Sequence, residues 1–142
     1  MNQTKLNPRL TKLWENEFVV ISEFNDKKIG AALAKSDYIP ISSFKSAFQQ
    51  AGIFAKEKSW NSFLFDKSKL SVFHQPSMEW YYTEWKMGLL EIGLSNHYKI
   101  LPEIDWFKVS VEAGIVEIKK KHPHIDFDKF NVKYINAISD VD

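Results

Sequence analysis

The residues best suited to metal-dependent hydrolysis are Glu103, Glu117 and Lys119. Two carboxylates can hold a magnesium ion, and a lysine beside them can position the attacking water. This chemistry requires Glu117 and Lys119 on a strand, so residues 104–121 would have to form a hairpin. The same residues also carry a helical apolar stripe, which favours a solvated helix. A magnesium-dependent nuclease of the acid-acid-x-Lys type is therefore an alternative that depends on the structure of this segment.

The second set of candidate ligands is His122, His124 and Asp126, in the sequence HPHIDFD. Imidazole and carboxylate groups suit zinc and other transition metals. Pro123 places the two histidines in a turn, and they lack the spacing of four residues that puts two ligands on one helix face. We therefore expect no metal site here.

Several enzyme classes lose support from what the sequence lacks. Its 142 residues contain no cysteine, so thiolate catalysis and cysteine-based metal sites are excluded. No glycine-rich phosphate loop or Gly-x-Ser-x-Gly motif occurs, so we expect no cofactor and no enzymatic activity. No secretion signal or long apolar run is present, which predicts a cytoplasmic protein with no membrane partner.

Aromatic residues are abundant, with 11 Phe, 5 Tyr and 5 Trp. In the predicted helix that begins near Pro76, Trp80 lies off the main apolar stripe and shares a side with Glu84, Met87 and Glu91. Aromatic anchors with a charged rim are typical of protein interfaces. The predicted function is a small non-enzymatic regulator or inhibitor that docks on a protein partner and occludes it, in the style of prokaryotic immunity, antitoxin or anti-defence proteins.

The alternative is a DNA-binding regulator, because the predicted order of elements over residues 8–74 resembles that of a winged helix. A recognition helix would present Lys45, Gln49 and Gln50 to base edges, and Lys67 and Lys69 at a hairpin tip would contact phosphate. A homodimer would then form through the helices of residues 77–138, along the stripe Tyr81, Tyr82, Trp85 and Leu89.

The winged-helix-like order follows from the helices and strands predicted for residues 8–74. Asn7 and Pro8 would begin a helix with Leu10, Leu13 and Trp14 on one face. Residues 18–24 are predicted to form a strand, with continuation of the first helix as the alternative, and the alanine-rich residues 28–35 are predicted to form a short helix. Ile41, Phe44, Phe48 and Ala51 recur at helical spacing, and Gly52 can end or kink that helix. Residues 62–66 and 69–74 would pair as a hairpin.

Three further helices are predicted for the second half. They are one opened by Pro76, one over Pro102–Lys121, and one capped by Asp126 that carries Phe127, Phe130, Tyr134 and Ile138. The expected fold class is therefore helix-rich α+β, with N-terminal helices and a small hairpin followed by three C-terminal helices. One domain is expected over residues 1–142, with a formal charge of +4 in residues 1–75 and −3 in residues 76–142.

Overall fold

Strands, rather than helices, organise the first part of the chain. The computed structural model describes residues 7–142. Its single sheet has six strands in the spatial order β1-β2-β3-β4-β5-β6. The first three form an antiparallel meander, and β3 to β6 run parallel to one another. The strands are β1 Leu10–Glu15, β2 Val19–Phe24, β3 Ile29–Ala34, β4 Ser62–Asp66, β5 Asn96–Ile100 and β6 Asn131–Tyr134.

Helices connect the parallel strands and pack together on one face of the sheet, here called the front face. The long ones are α1 (Ile41–Lys58) after β3 and α4 (Asp105–Lys121) after β5. Between β4 and β5 runs a continuous helix made of α2 (Gln75–Trp80), a π-helical segment (Tyr81–Lys86) and α3 (Met87–Glu91). Short 3-10 turns follow at Phe127–Lys129 and Ile138–Asp140.

The main hydrophobic core lies between the front face and the helices, and aromatic rings fill much of it. Phe48 of α1 lies at its centre, with ring centroids 4.9 Å from those of Phe65 and Trp85 and 5.4 Å from that of Tyr81. Edge-to-face contacts of this kind add about 1 kcal/mol each beyond the burial of apolar area. Most of the aromatic excess is therefore explained by this core.

A smaller cluster covers the back face of the sheet, where Leu64 and Ala31 are fully buried. The C-terminal turn crosses this face and brings Val141 into the cluster. Arg9 fixes the crossing, because its guanidinium donates to the carbonyl oxygens of Ile138 and Val141, each at 3.2 Å. The last residues thus contact the strand with which the described chain begins.

The helix-rich fold prediction is wrong, and its first error lies at the N-terminal end. Leu10–Glu15 is strand β1, and the Asn7 side chain accepts a hydrogen bond from the Arg9 backbone instead of capping a helix. The register of β1 against β2 skips Leu13. Such a bulge adds one residue to a strand and breaks its two-residue alternation. The apolar residues Leu10, Leu13 and Trp14 therefore imitate helical spacing.

The second error is residues 28–35, which form strand β3 instead of a helix. Alanine favours helices only weakly, and tertiary packing overrides that preference. β3 lies between β2 and β4 and is buried on both faces, where α1 and Trp60 leave room only for small side chains. A methyl group on Gly30 would overlap the Trp60 ring. The small residues thus reflect close packing.

The hairpin and the last predicted helix are also wrong. β4 pairs in parallel with β3 and β5, while residues 69–74 form an irregular connection rather than a strand. Asp126 caps only a three-residue turn, after which the chain enters β6. β5 was not predicted at all. The winged-helix-like order and the set of three C-terminal helices are therefore both absent from residues 7–142.

Four predicted elements are confirmed: the strand after Phe18, the helix that begins at Ile41, the helix near Pro76 and the helix that ends at Lys121. α1 continues through Gly52 to Lys58, and the Trp85 indole nitrogen lies 3.6 Å from the position that a Cβ on Gly52 would occupy. Within residues 7–142, no helix combines the length and apolarity needed to cross a membrane.

Candidate functional site

Three lysine side chains are buried together on the front face, and we call Lys67, Lys86 and Lys99 the amine cluster. Their exposed fractions are 8%, 0% and 1%. Lysine is almost never buried without a partner, because transfer of an ammonium group out of water is costly. Among residues 7–142, no carboxylate lies within 4.0 Å of any of the three amines. The cluster is thus an unusual concentration of unpaired amines.

Aromatic rings surround the two innermost amines. Lys86 Nζ lies 4.2 Å from the ring centroid of Tyr82, and Lys99 Nζ lies 4.7 Å from those of Tyr81 and Tyr82. Lys99 also donates a hydrogen bond to the Tyr82 hydroxyl at 3.0 Å, whereas Lys86 Nζ has no hydrogen-bond partner among residues 7–142. The rings offer a partial substitute for hydration, since a buried cation–π contact contributes about 2 kcal/mol.

Burial lowers the pKa of each of these lysines. The pKa of Lys99 falls from 10.5 to about 7, chiefly because its amine is removed from water. The pKa values of Lys67 and Lys86 are held well below 10.5 by burial first and by the neighbouring Lys99 amine second. With a pKa of about 7, Lys99 is divided near neutral pH between the ammonium form and the uncharged amine, which is nucleophilic and basic.

Lys67 differs from the other two because it borders a cavity of about 50 Å³ between the helices and the segment that follows β4. Apart from Lys67, the lining residues with polar side-chain atoms are His74, Ser77 and Tyr81. Val72 lines the cavity and is 43% exposed, so the cavity reaches the surface there. The other lining residues are Ile39, Phe44, Phe65, Leu70, Phe73, Met78 and Phe107.

The polar pair His74 and Ser77 is tied together at the start of α2. His74 Nδ1 accepts a hydrogen bond from the Ser77 backbone at 3.3 Å and lies 2.8 Å from Ser77 Oγ. This contact caps the helix, because it satisfies one of the free backbone N–H groups of the first turn. His74 Nδ1 and Ser77 Oγ are thus paired with each other. The other two lining residues with polar side chains are Lys67 and Tyr81, and the Tyr81 hydroxyl has no hydrogen-bond partner among residues 7–142.

The π-helical segment supplies three members of the site: Tyr81, Tyr82 and Lys86. π-helical turns are rare, and they occur frequently at functional sites. Here the wider turn directs all three side chains toward the sheet, where each is at most 2% exposed. The unusual helix geometry and the unusual buried lysine thus coincide in one segment.

The site lies at the carboxyl ends of the central parallel strands. Lys67 directly follows β4, and its backbone N–H donates to the Ile100 carbonyl at 2.8 Å, which extends the pairing of β4 with β5. Lys99 is aligned with Phe65 on β4 and with Tyr134 on β6. In open α/β sheets, ligands bind in crevices outside the carboxyl ends of the strands.

The residues predicted to bind a protein partner lie along the helix of residues 75–91. Glu84 and Glu91 are exposed, while Trp80 and Met87 are half-buried. The Trp80 ring meets Phe44 of α1 edge-on, with centroids 6.1 Å apart. Trp80 thus packs partly inside its own chain, and docking through this surface stays a prediction.

The residues predicted to bind DNA are not brought together as that hypothesis requires. Gln49 is exposed, and Lys45 and Gln50 are half-buried on α1. Lys69 is exposed, whereas Lys67 is buried at the cavity, and the hairpin that would carry both is absent. The stripe predicted to form a dimer, namely Tyr81, Tyr82, Trp85 and Leu89, is buried within the chain with at most 6% exposure.

The candidate metal-binding residues are dispersed. Glu117 and Lys119 are exposed on helix α4, so the hairpin on which the nuclease hypothesis depends is absent from residues 104–121, and Glu103 precedes this helix. His122 Nε2 lies 3.1 Å from Glu79 Oε2, and this contact lowers the pKa of Glu79. No group of three or more His, Asp or Glu side chains in the described part of the chain could hold a metal ion.

The amine cluster could not be recognised as a site from its sequence pattern. Residue type alone does not distinguish Lys86 and Lys99 from lysines that face solvent. The polar residues His97 and Lys99 alternate along β5, so this buried strand shows no apolar pattern. The only usable signal was Lys86, which lies within the aromatic run WYYTEWK of a confirmed helix. Its burial depends on the π-helical geometry, which periodicity does not predict.

Comparison of the chain with protein-family models, curated proteins and solved structures finds no match.

Proposed function

We propose that this protein binds a small molecule that has an apolar body and one polar end, and that the polar end contacts the Lys67 amine. The observation that carries the proposal is the position of this amine. Lys67 is more than nine-tenths buried and lines an apolar cavity, and no carboxylate lies within 4.0 Å of its amine among residues 7–142. Small-molecule sites are typically apolar concavities with a few placed polar groups.

The cavity volume limits the size of the ligand. One water requires about 10–15 Å³ on this scale, so 50 Å³ accommodates about four water-sized groups. The enclosed part of the ligand therefore has about four non-hydrogen atoms. A longer ligand would extend past Val72 toward the solvent.

Stability considerations also support a binding role. A buried, unpaired amine destabilises a fold, and an apolar side chain of similar length would be neutral or stabilising at the same position. Residues that oppose stability in this way are typical of functional sites. A ligand-binding role therefore explains the burial of Lys67 better than a structural role does.

The test is an NMR titration of the ¹⁵N-labelled protein with propanal, propanoate and 1-propanol. We expect at least one of the three to shift the backbone signals of cavity residues such as Leu70 and Val72, and to leave those of the distant β1 unchanged. In Lys67→Met the polar contact is lost, so binding of propanal or propanoate should weaken about ten-fold, since a hydrogen bond to a charged group contributes about 1.5–3 kcal/mol.

The matched control is Lys69→Met, because Lys69 is an exposed lysine in the same connection. This variant should bind all three probes as the unmodified protein does. The proposal is wrong if none of the probes shifts the cavity signals at millimolar concentration, or if both variants bind equally well.

A further inference from the structure

We infer that the ligand carries an aldehyde or ketone carbonyl, and that the Lys67 amine condenses with it to form an imine. This inference rests on the proposed function, because it assigns a chemical class to the ligand of the same cavity. Its structural basis is an amine enclosed by apolar groups and adjacent to other amines. Such surroundings are those in which lysine acts as a nucleophile toward carbonyl substrates.

The surroundings of Lys67 disfavour a permanent ammonium group. Lys67 is 8% exposed, and the Phe65 ring, with its centroid 5.1 Å from Nζ, offsets only part of the hydration that the ammonium form loses. The neighbouring charged groups are other amines: Lys99 opposes protonation of Lys67, and Lys67 in turn opposes protonation of Lys86. A carboxylate ligand would stabilise the charged form, whereas a carbonyl ligand requires the neutral one.

The condensation is balanced without any oxidant or reductant. The lone pair of Lys67 Nζ forms a bond to the carbonyl carbon, and the carbonyl oxygen takes up a proton as the carbinolamine forms. The C–O bond then breaks, and the oxygen leaves as water with both protons that the amine held. The product is a C=N bond between Nζ and the ligand.

One of the residues that line the cavity, Tyr81, has a phenol that can donate a proton to the carbonyl oxygen. Tyr81 lines the cavity, and its buried hydroxyl has no hydrogen-bond partner among residues 7–142. Burial raises the pKa of Tyr81, so the phenol keeps its proton near neutral pH. The apolar walls limit access of water, which would hydrolyse the imine.

The experiment is reductive trapping with propanal and cyanoborohydride near neutral pH, read by peptide mass spectrometry. Cyanoborohydride converts the imine into a stable propyl-amine, and the chain has no cysteine to compete for the aldehyde. We expect Lys67 to be propylated at least about ten-fold faster than the exposed Lys69, because burial lowers the pKa of Lys67 and so increases the share of its nucleophilic, neutral amine. An excess of propanoate should slow labelling at Lys67 and leave Lys69 unaffected.

This comparison is made within the unmodified protein, so it does not depend on the folding of a variant. Labelling of Lys67 no faster than that of Lys69 would overturn the inference. If propanal or propanoate still shifts the cavity signals by NMR in that case, the imine is refuted while the proposed binding function stands. If propanoate shifts the cavity signals by NMR but does not slow labelling at Lys67, the reaction takes place outside the cavity, and this result would also overturn the inference.

Discussion

The amine cluster makes the stability of this protein depend on pH in an unusual direction. Lys99 has a pKa of about 7 in the folded state, against 10.5 for an ordinary lysine. Between these values the unfolded chain holds a proton on Lys99 that the folded chain has released. Stability rises with pH wherever the unfolded state binds more protons. The full penalty of burying this amine is therefore present below about pH 7 and disappears above about pH 10.5.

The magnitude follows from this difference in bound protons. One proton corresponds to about 1.4 kcal/mol per pH unit, so Lys99 alone should add about 2–3 kcal/mol to the unfolding free energy between about pH 7.5 and 9.5. The pKa values of Lys67 and Lys86 are lowered too, so both contribute with the same sign. Above about pH 10 the direction reverses, because burial raises the pKa values of Tyr81 and Tyr82.

The assay is urea unfolding followed by tryptophan fluorescence at several pH values across this range. We expect Lys99→Met to be more stable than the unmodified protein near pH 7, and to show a pH slope smaller by about 1.4 kcal/mol per unit. Lys69→Met should keep the original slope, because its amine is exposed in the folded state. Stability that is flat or falls between about pH 7.5 and 9.5 would refute this account of the cluster.

Two further predictions concern packing and acid stability. Gly30→Ala should lower the unfolding free energy by about 1–3 kcal/mol, because the new methyl group would overlap the Trp60 ring; Gly88→Ala, with open space around its Cα, is the control for urea unfolding. His97 is 2% exposed, burial lowers its pKa, and neither ring nitrogen has a hydrogen-bond partner among residues 7–142. As the pH falls below about 6, the unfolding free energy should therefore decrease by about 1.4 kcal/mol per pH unit because of His97. His97→Phe should lack this decrease, and an equal decrease in both proteins would contradict the assignment to His97.

The sequence predicted the elements whose pattern comes from a single buried face. Helices α1 and α4 each bury one regular stripe, and the strand after Phe18 is dense in β-branched residues, so local periodicity was sufficient for them. β1 and β3 were misjudged for reasons that lie outside their own residues. The bulge at Leu13 depends on pairing with β2, and the small side chains of β3 are required by Trp60 and α1.

The candidate site was missed for a related reason. Hydrophobic periodicity treats lysine and histidine as solvent-facing, so a strand that points His97 and Lys99 into the core shows no apolar alternation. Lys67 was predicted to lie at an exposed tip because its segment resembled a hairpin. Its burial follows from the parallel pairing of β4 with β5 and from the seating of Leu70 in the core, neither of which is visible locally.

Three buried amines in one cluster favour a chemical role over a purely structural one. A cluster that served only to fill the core would be better built from methionine or leucine, which have similar length and no desolvation penalty. A cluster that served only for binding by charge would lie in a polar, open site, where its lysines would keep their ordinary pKa values. Here, aromatic rings enclose the amines, Lys67 lines a cavity, and no carboxylate lies within 4.0 Å among residues 7–142. Burial lowers the pKa values of all three amines toward the boundary between charged and neutral forms, which Lys99 reaches at about pH 7. That boundary is where an amine is most useful as a nucleophile or base, which is why the chemistry of Lys67 is the first property to test.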